Sequence, residues 1–129
     1  MTYYNRKLDH INLKVPNLEE TIKYYTEILG FKVSNRFKKD MEFVFVTDGH
    51  VTYEIIENKA LEMTIIDHIA YESDDIKADY AYFEKLGLVT SKIGFIDFIF
   101  EQGVYYFFIK GFGNEKIEFC QKIKQSSIN

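Results

Sequence analysis

The chain has 129 residues, 47% of them apolar, and a formal net charge of −4. That length suits one domain, or two small modules sharing a core, because a module of half this size buries little surface by itself. Lysines and arginines are scattered with no basic block, no apolar run reaches bilayer length, and Cys120 is the only cysteine; these features argue against nucleic acid, a membrane span and an intrachain disulfide framework.

The opening "MTYYNRKLDH" has no apolar leader segment, so a soluble, cytoplasmic protein is the expectation. The first element is "LDHINLKV", residues 8 to 15. Alternation along a strand puts Ile11, Leu13 and Val15 on one face, and Leu8, His10 and Asn12 on the other. A helix follows. "PNLEE" offers Asn17 as N-cap with Glu20 three residues on. Leu18, Ile22, Tyr25 and Ile28 recur as one apolar helix face, and Leu29-Gly30 stops it. Three strand-like runs come next: "FKVSNRF", "MEFVFVTD" and "VTYEIIE". In the last, Val51, Tyr53 and Ile55 make an apolar face and leave Thr52, Glu54 and Ile56 opposite. His50, in the turn "TDGH", reads as surface decoration, and "ENKALEM" is polar enough to be a linker.

The order then repeats. "IDHIAYES" places His68 58 residues after His10, with the same Asp before it and the same Ile after it. Ser73 or Asp74 is the expected N-cap of a second helix. Its apolar face is Ile76, Tyr80, Phe83 and Leu86, and Leu86-Gly87 ends it. Strand-like runs "LVTSKI", "FIDFIFEQ", "VYYFFIKG" and "KIEFCQK" follow, separated by turns. In the last, Ile117 and Phe119 face the core, leaving Lys116, Glu118 and Cys120 opposite. Each half therefore reads β-α-β-β-β. The expected fold is α+β, with module 1 (1–58) and module 2 (65–123) forming a cupped, partly open mixed sheet and helices on its outer face.

Each module contributes a His from its first strand and a Glu from its last: His10 with Glu54, His68 with Glu118. All four project away from the helix layer. Singly, a strand His is more often a structural hydrogen-bonding residue than a ligand, and a strand Glu is usually solvated. Together they are a different matter, since buried carboxylates need a cation or a partner to offset lost hydration. Two imidazoles and two carboxylates suit one divalent ion, with Ni, Co, Zn, Mn and Fe all acceptable by ligand type. Asn12 shares the His10 face, so substrate contact and a strand hydrogen bond are both open to it. Cys120 reads as a packed thiol more readily than as a nucleophile.

The segments "LDHINLKVPNLEETIKYYTEILGFKV", "IDHIAYESDDIKADYAYFEKLGL" and "GNEKIEF" resemble the vicinal oxygen chelate superfamily, which includes glyoxalase I, fosfomycin-resistance thiol transferases, extradiol dioxygenases and bleomycin-binding proteins. The resemblance spans nearly the whole chain and carries the metal-ligand positions onto His10, Glu54, His68 and Glu118. Retention of Glu54 is similar to the glyoxalase I (lactoylglutathione lyase) branch. The resemblance implies Glu118 as catalytic base and Glu54 as ligand and second proton carrier. It also implies a small-molecule substrate, such as a 2-oxoaldehyde–thiol adduct, and a homodimer whose sites draw on both chains. The chain departs from the family pattern in two places: "GFGN" replaces the usual Asp-Pro-Asp-Gly turn, and Arg6 and Arg36, the only arginines, match no glutathione-binding set. Related metalloenzyme chemistry, or a metal-free binding module lined by residues from Tyr105 to Phe108, are the competing readings.

Overall fold

Two successive β-α-β-β-β runs are present in the computed structural model, which describes residues 6–123. The first comprises β1 (Leu8–Val15), α1 (Leu18–Lys23) continued by a π-helical turn (Tyr24–Ile28), β2 (Lys32–Lys38), β3 (Glu42–Thr47) and β4 (Thr52–Glu57). The second comprises β5 (Ile65–Glu72), α2 (Ile76–Lys85), β6 (Gly94–Ile96), β7 (Val104–Lys110) and β8 (Lys116–Lys122). The α+β expectation holds, with strands paired in both parallel and antiparallel fashion. The backbone divides into two compact units, His10–Ile69 and Met1–Asp9 with Ala70–Asn129. The first five residues of the expected module 1 lie outside the described residues. No helix among the described residues is long and apolar enough to cross a membrane.

Within His10–Ile69 the strand order is β2-β3-β4-β1-β5. β1 and β4 run parallel, with Ile11 opposite Tyr53, Asn12 opposite Glu54 and Leu13 opposite Ile55. Parallel neighbours need a long crossover, and α1, β2 and β3 supply it. Leu13, Val15, Leu18, Val44, Val46 and Ile55 form the buried core, joined by Ile11, Ile22, Tyr25 and Tyr53. These are the faces expected from alternation. Asn17 caps α1 as expected, its Oδ1 accepting from the Glu20 N–H at 3.0 Å. Ile28 departs from its expected place and is 66% exposed. The cause is the π turn, in which the Leu29 N–H bonds the Tyr24 carbonyl at 3.2 Å. That spacing takes one more residue per turn than an α-helix, so Ile28 rotates off the stripe that holds Tyr25.

In the other unit the end of β5 is followed across the sheet by β8, β7 and β6. β7 and β8 pair antiparallel from Val104–Lys122 to Lys110–Lys116. Ile76, Phe107, Ile109 and Phe119 are its buried core, with Tyr80 and Phe83 packed from α2. Arg6 lies over the Phe119 ring at 5.0 Å and makes two hydrogen bonds to Asp79, at 2.9 and 3.0 Å. The N-cap of α2 is Asp75, whose side chain accepts from the Ala78 N–H at 3.1 Å. This corrects the choice of Ser73 or Asp74. The Ser73 hydroxyl is instead committed to Asp79 at 2.6 Å. Gly30 and Gly87 end the helices at φ 77° and 74°, a conformation glycine adopts without steric cost. "LVTSKI" forms no strand, only an isolated bridge between Val89 and Ile109. Of "FIDFIFEQ" only Phe95 and Ile96 are extended, in three-residue β6; the backbone bends from Asp97 onward, and Phe100 and Glu101 take left-handed φ values of 52° and 56°.

Candidate metal centre

The side of β1 opposite the helix core carries His10, Asn12 and Lys14 in a row. Parallel register then places Glu54 of β4 directly beside Asn12. The Asn12 amide nitrogen donates to Glu54 Oε1 at 2.7 Å, and the same oxygen lies 3.5 Å from His10 Nε2. β5, next to β1 in the sheet, brings His68, its ring centroid 5.9 Å from that of His10. One ligand atom from each of His10, Glu54 and His68 lies within 4.8 Å of the other two. All three side chains are buried, at 4%, 7% and 6% exposure.

Two imidazole nitrogens and a carboxylate at this spacing fit a divalent cation that accepts nitrogen and oxygen. Burial of the Glu54 charge would be costly without such a counter-charge. The surroundings hold the donors in place. Asp67 Oδ2 lies 2.7 Å from His68 Nδ1. With the proton on Nδ1, that nitrogen donates to Asp67 and the Nε2 lone pair stays available, the arrangement common behind metal-bound histidines. Lys14 Nζ donates to Asn12 Oδ1 at 3.0 Å and lies 3.7 Å from Asp67 Oδ2. Phe45 presses its ring edge against His10, with centroids 5.9 Å apart at 89°.

Glu118 sits on β8 opposite Phe108, 7% exposed. It belongs to the other compact unit. Asn12 is fully buried, and its amide is engaged at both ends by Glu54 and Lys14. Burial pushes the Cys120 thiol far up, with the Asp9 and Glu118 carboxylates adding to the effect. It remains a neutral thiol, 3.7 Å from the Tyr71 carbonyl. Of the aromatic run on β7, Phe107 is core, while Tyr106 and Phe108 meet edge to face at 5.8 Å. Tyr105 is 38% exposed and packs on Phe95.

Sequence reasoning did not single out Asp67, Lys14 or Phe45. The repeated Asp-His pair was the available signal for Asp67, and the spacing His10, Asn12, Lys14 was the signal for the lysine. Phe45 could be found from alternation in "MEFVFVTD", which sends Phe43 and Phe45 to the side opposite Val44 and Val46.

Uncharacterized protein YwbC of Bacillus subtilis (strain 168) is 31% identical over 128 residues, covering 91% of this chain and 98% of that protein. A hypothetical protein from Bacillus halodurans C-125 has a similar structure, with TM-score 0.78, 19% identity, and 97% and 100% of the two chains covered. A Streptomyces coelicolor methylmalonyl-CoA epimerase in complex with 2-nitronate-propionyl-CoA follows, with TM-score 0.73, 17% identity, and 92% and 98% covered. At these identities the structures share a fold with this chain. Residues 7–108 match the model of the Glyoxalase/Bleomycin resistance protein/Dioxygenase superfamily, and the chain belongs to that superfamily.

Proposed function

We propose that the protein is a metal-dependent, glyoxalase I-like lyase or isomerase acting on the hemithioacetal of a 2-oxoaldehyde and a thiol. The observation that carries this reading is the buried gathering of His10, Glu54 and His68, with ligand atoms within 4.8 Å of one another. A divalent cation held by these residues and by Glu118 would supply Lewis-acid stabilisation of charge developing on the substrate oxygens. The ion is one of Ni, Co, Zn, Mn or Fe.

The isomerisation conserves composition. One C–H proton moves to the adjacent carbon, and one O–H proton moves between the two oxygens. Glu118 is the base that takes the carbon-bound proton and returns it next door, and Glu54 is the second carboxylate. Glu118 is buried on the side of β8 opposite the Phe119 core, where its carboxylate is shielded from bulk water, and this supports its role. Asn12 and Asp67 orient Glu54 and His68. The His10–Phe45 contact puts an apolar ring against the donors, which keeps water from one side. A homodimer with shared sites is part of the reading.

The test is elemental analysis of the purified protein, reconstitution with each ion, and turnover of a panel of 2-oxoaldehyde–thiol adducts. Glu118→Gln should keep its fold while turnover falls by about 100-fold or more. Full turnover by that variant removes the proposed base. Adduct formation with fosfomycin, oxygen uptake with a catechol, or epimerisation of an acyl-CoA thioester, with no hemithioacetal turnover, reassigns the chemistry. Failure to bind any of the five ions favours the metal-free binding reading. Light scattering that reports a monomer opposes the dimer.

A further inference from the structure

We propose that Lys14 is a positioning residue that sets the orientation of both Glu54 and His68 before metal arrives; this rests on the metal-centre reading above. A lysine near a strand end is normally solvated. Here the side chain is only 26% exposed, and its ammonium turns inward to Asn12 Oδ1 at 3.0 Å and Asp67 Oδ2 at 3.7 Å.

The first contact decides which way the Asn12 amide faces. An amide offers an acceptor at one end and donors at the other. With an ammonium at the oxygen end, the carbonyl must face Lys14 and the NH2 must face Glu54. The reversed amide would set N–H against ammonium and carbonyl against carboxylate, repulsive at both ends. The 2.7 Å bond to Glu54 Oε1 is the consequence. The second contact acts on the other donor. Lys14 is drawn to Asp67 Oδ2, the same oxygen that lies 2.7 Å from His68 Nδ1. One cation thus steadies the support of a β4 carboxylate and of a β5 imidazole, standing on β1 between them in the sheet order.

Simple electrostatics and positioning predict opposite signs. A positive charge near a cation site repels the cation, so deleting it should tighten metal binding. If Lys14 acts by pre-orienting ligands, deleting it should weaken binding, by about 10- to 100-fold as is typical when such supports are lost. The experiment titrates the metal-free full chain with Zn²⁺ and with Ni²⁺ against a chromophoric chelator. Wild type, Lys14→Met, Lys14→Arg and His10→Ala are compared, and melting of each metal-free protein is recorded alongside. Lys14→Gln replaces the Met variant if the latter fails to fold. The expected result is weaker binding by the Met or Gln variant, recovery toward wild type with Arg, and melting temperatures too close to account for the loss. If wild type binds one ion that His10→Ala loses, yet the Met or Gln variant binds equally or more tightly, the positioning role is overturned and the metal centre stands. If wild type binds neither ion better than His10→Ala does, the metal centre itself falls and the role of Lys14 falls with it.

Discussion

Replacing Asn12 with Ala tests the interior of the site without touching a proposed ligand. The side chain is fully buried and donates to the 7%-exposed Glu54 at 2.7 Å. A hydrogen bond to a buried charge contributes about 1.5–3 kcal/mol, and its loss leaves that charge poorly satisfied. Lys14 loses its acceptor too, but at 26% exposure it can regain water, so that contact adds only about 0–1 kcal/mol. The expected loss for the metal-free protein is therefore about 1.5–4 kcal/mol. For a chain of this length that lowers the melting temperature by roughly 5–15 °C. Urea unfolding followed by far-ultraviolet circular dichroism measures it directly. Zn²⁺ at about a hundred times its dissociation constant should return about 2.7 kcal/mol. A loss under about 0.5 kcal/mol would refute the reasoning, because Glu54 would then be satisfied without Asn12.

Each further expectation isolates another part of the structure. His10→Ala and His68→Ala should each reduce metal content by elemental analysis, and unchanged content in both would contradict the ligand assignment. Burial works to raise the Asp79 carboxyl, but hydrogen bonds from Arg6 and Ser73 outweigh it and hold the group below the usual carboxylate range. A carboxyl depressed in the fold stabilises above its unfolded value and loses that contribution as pH falls through its folded value. Arg6→Met should therefore cost about 1–2 kcal/mol near neutral pH, and the gap from wild type should shrink below about pH 4; equal gaps at pH 7 and pH 3 in urea midpoints would count against the pair. Phe107→Ala removes a fully buried ring stacked on Phe119 at 5.5 Å and should cost about 3–5 kcal/mol in the same assay.

The sequence by itself determined what depends on local geometry. Side chains alternate along a strand because of the backbone's own two-residue repeat, so the helix-facing rows Ile11–Leu13–Val15 and Ile117–Phe119 were legible, and with them the opposite facing of His10 and Glu118. Asn17 as cap and Gly30 and Gly87 as stops were legible for the same reason, since each acts within one helical turn. Asp75 was missed in favour of its neighbours because a cap is chosen by where the helix begins, and packing of Ile76 sets that. The π turn that exposes Ile28 and the left-handed pair Phe100 and Glu101 were not legible, because hydrophobic periodicity carries no signal for either. Only the tertiary structure decided that Asn12 lies opposite Glu54, that β5 follows β1 across the sheet, and that Lys14 reaches both supports. Strand pairing joins residues more than forty positions apart, and its register follows from burial over the whole sheet, which no short stretch of sequence contains.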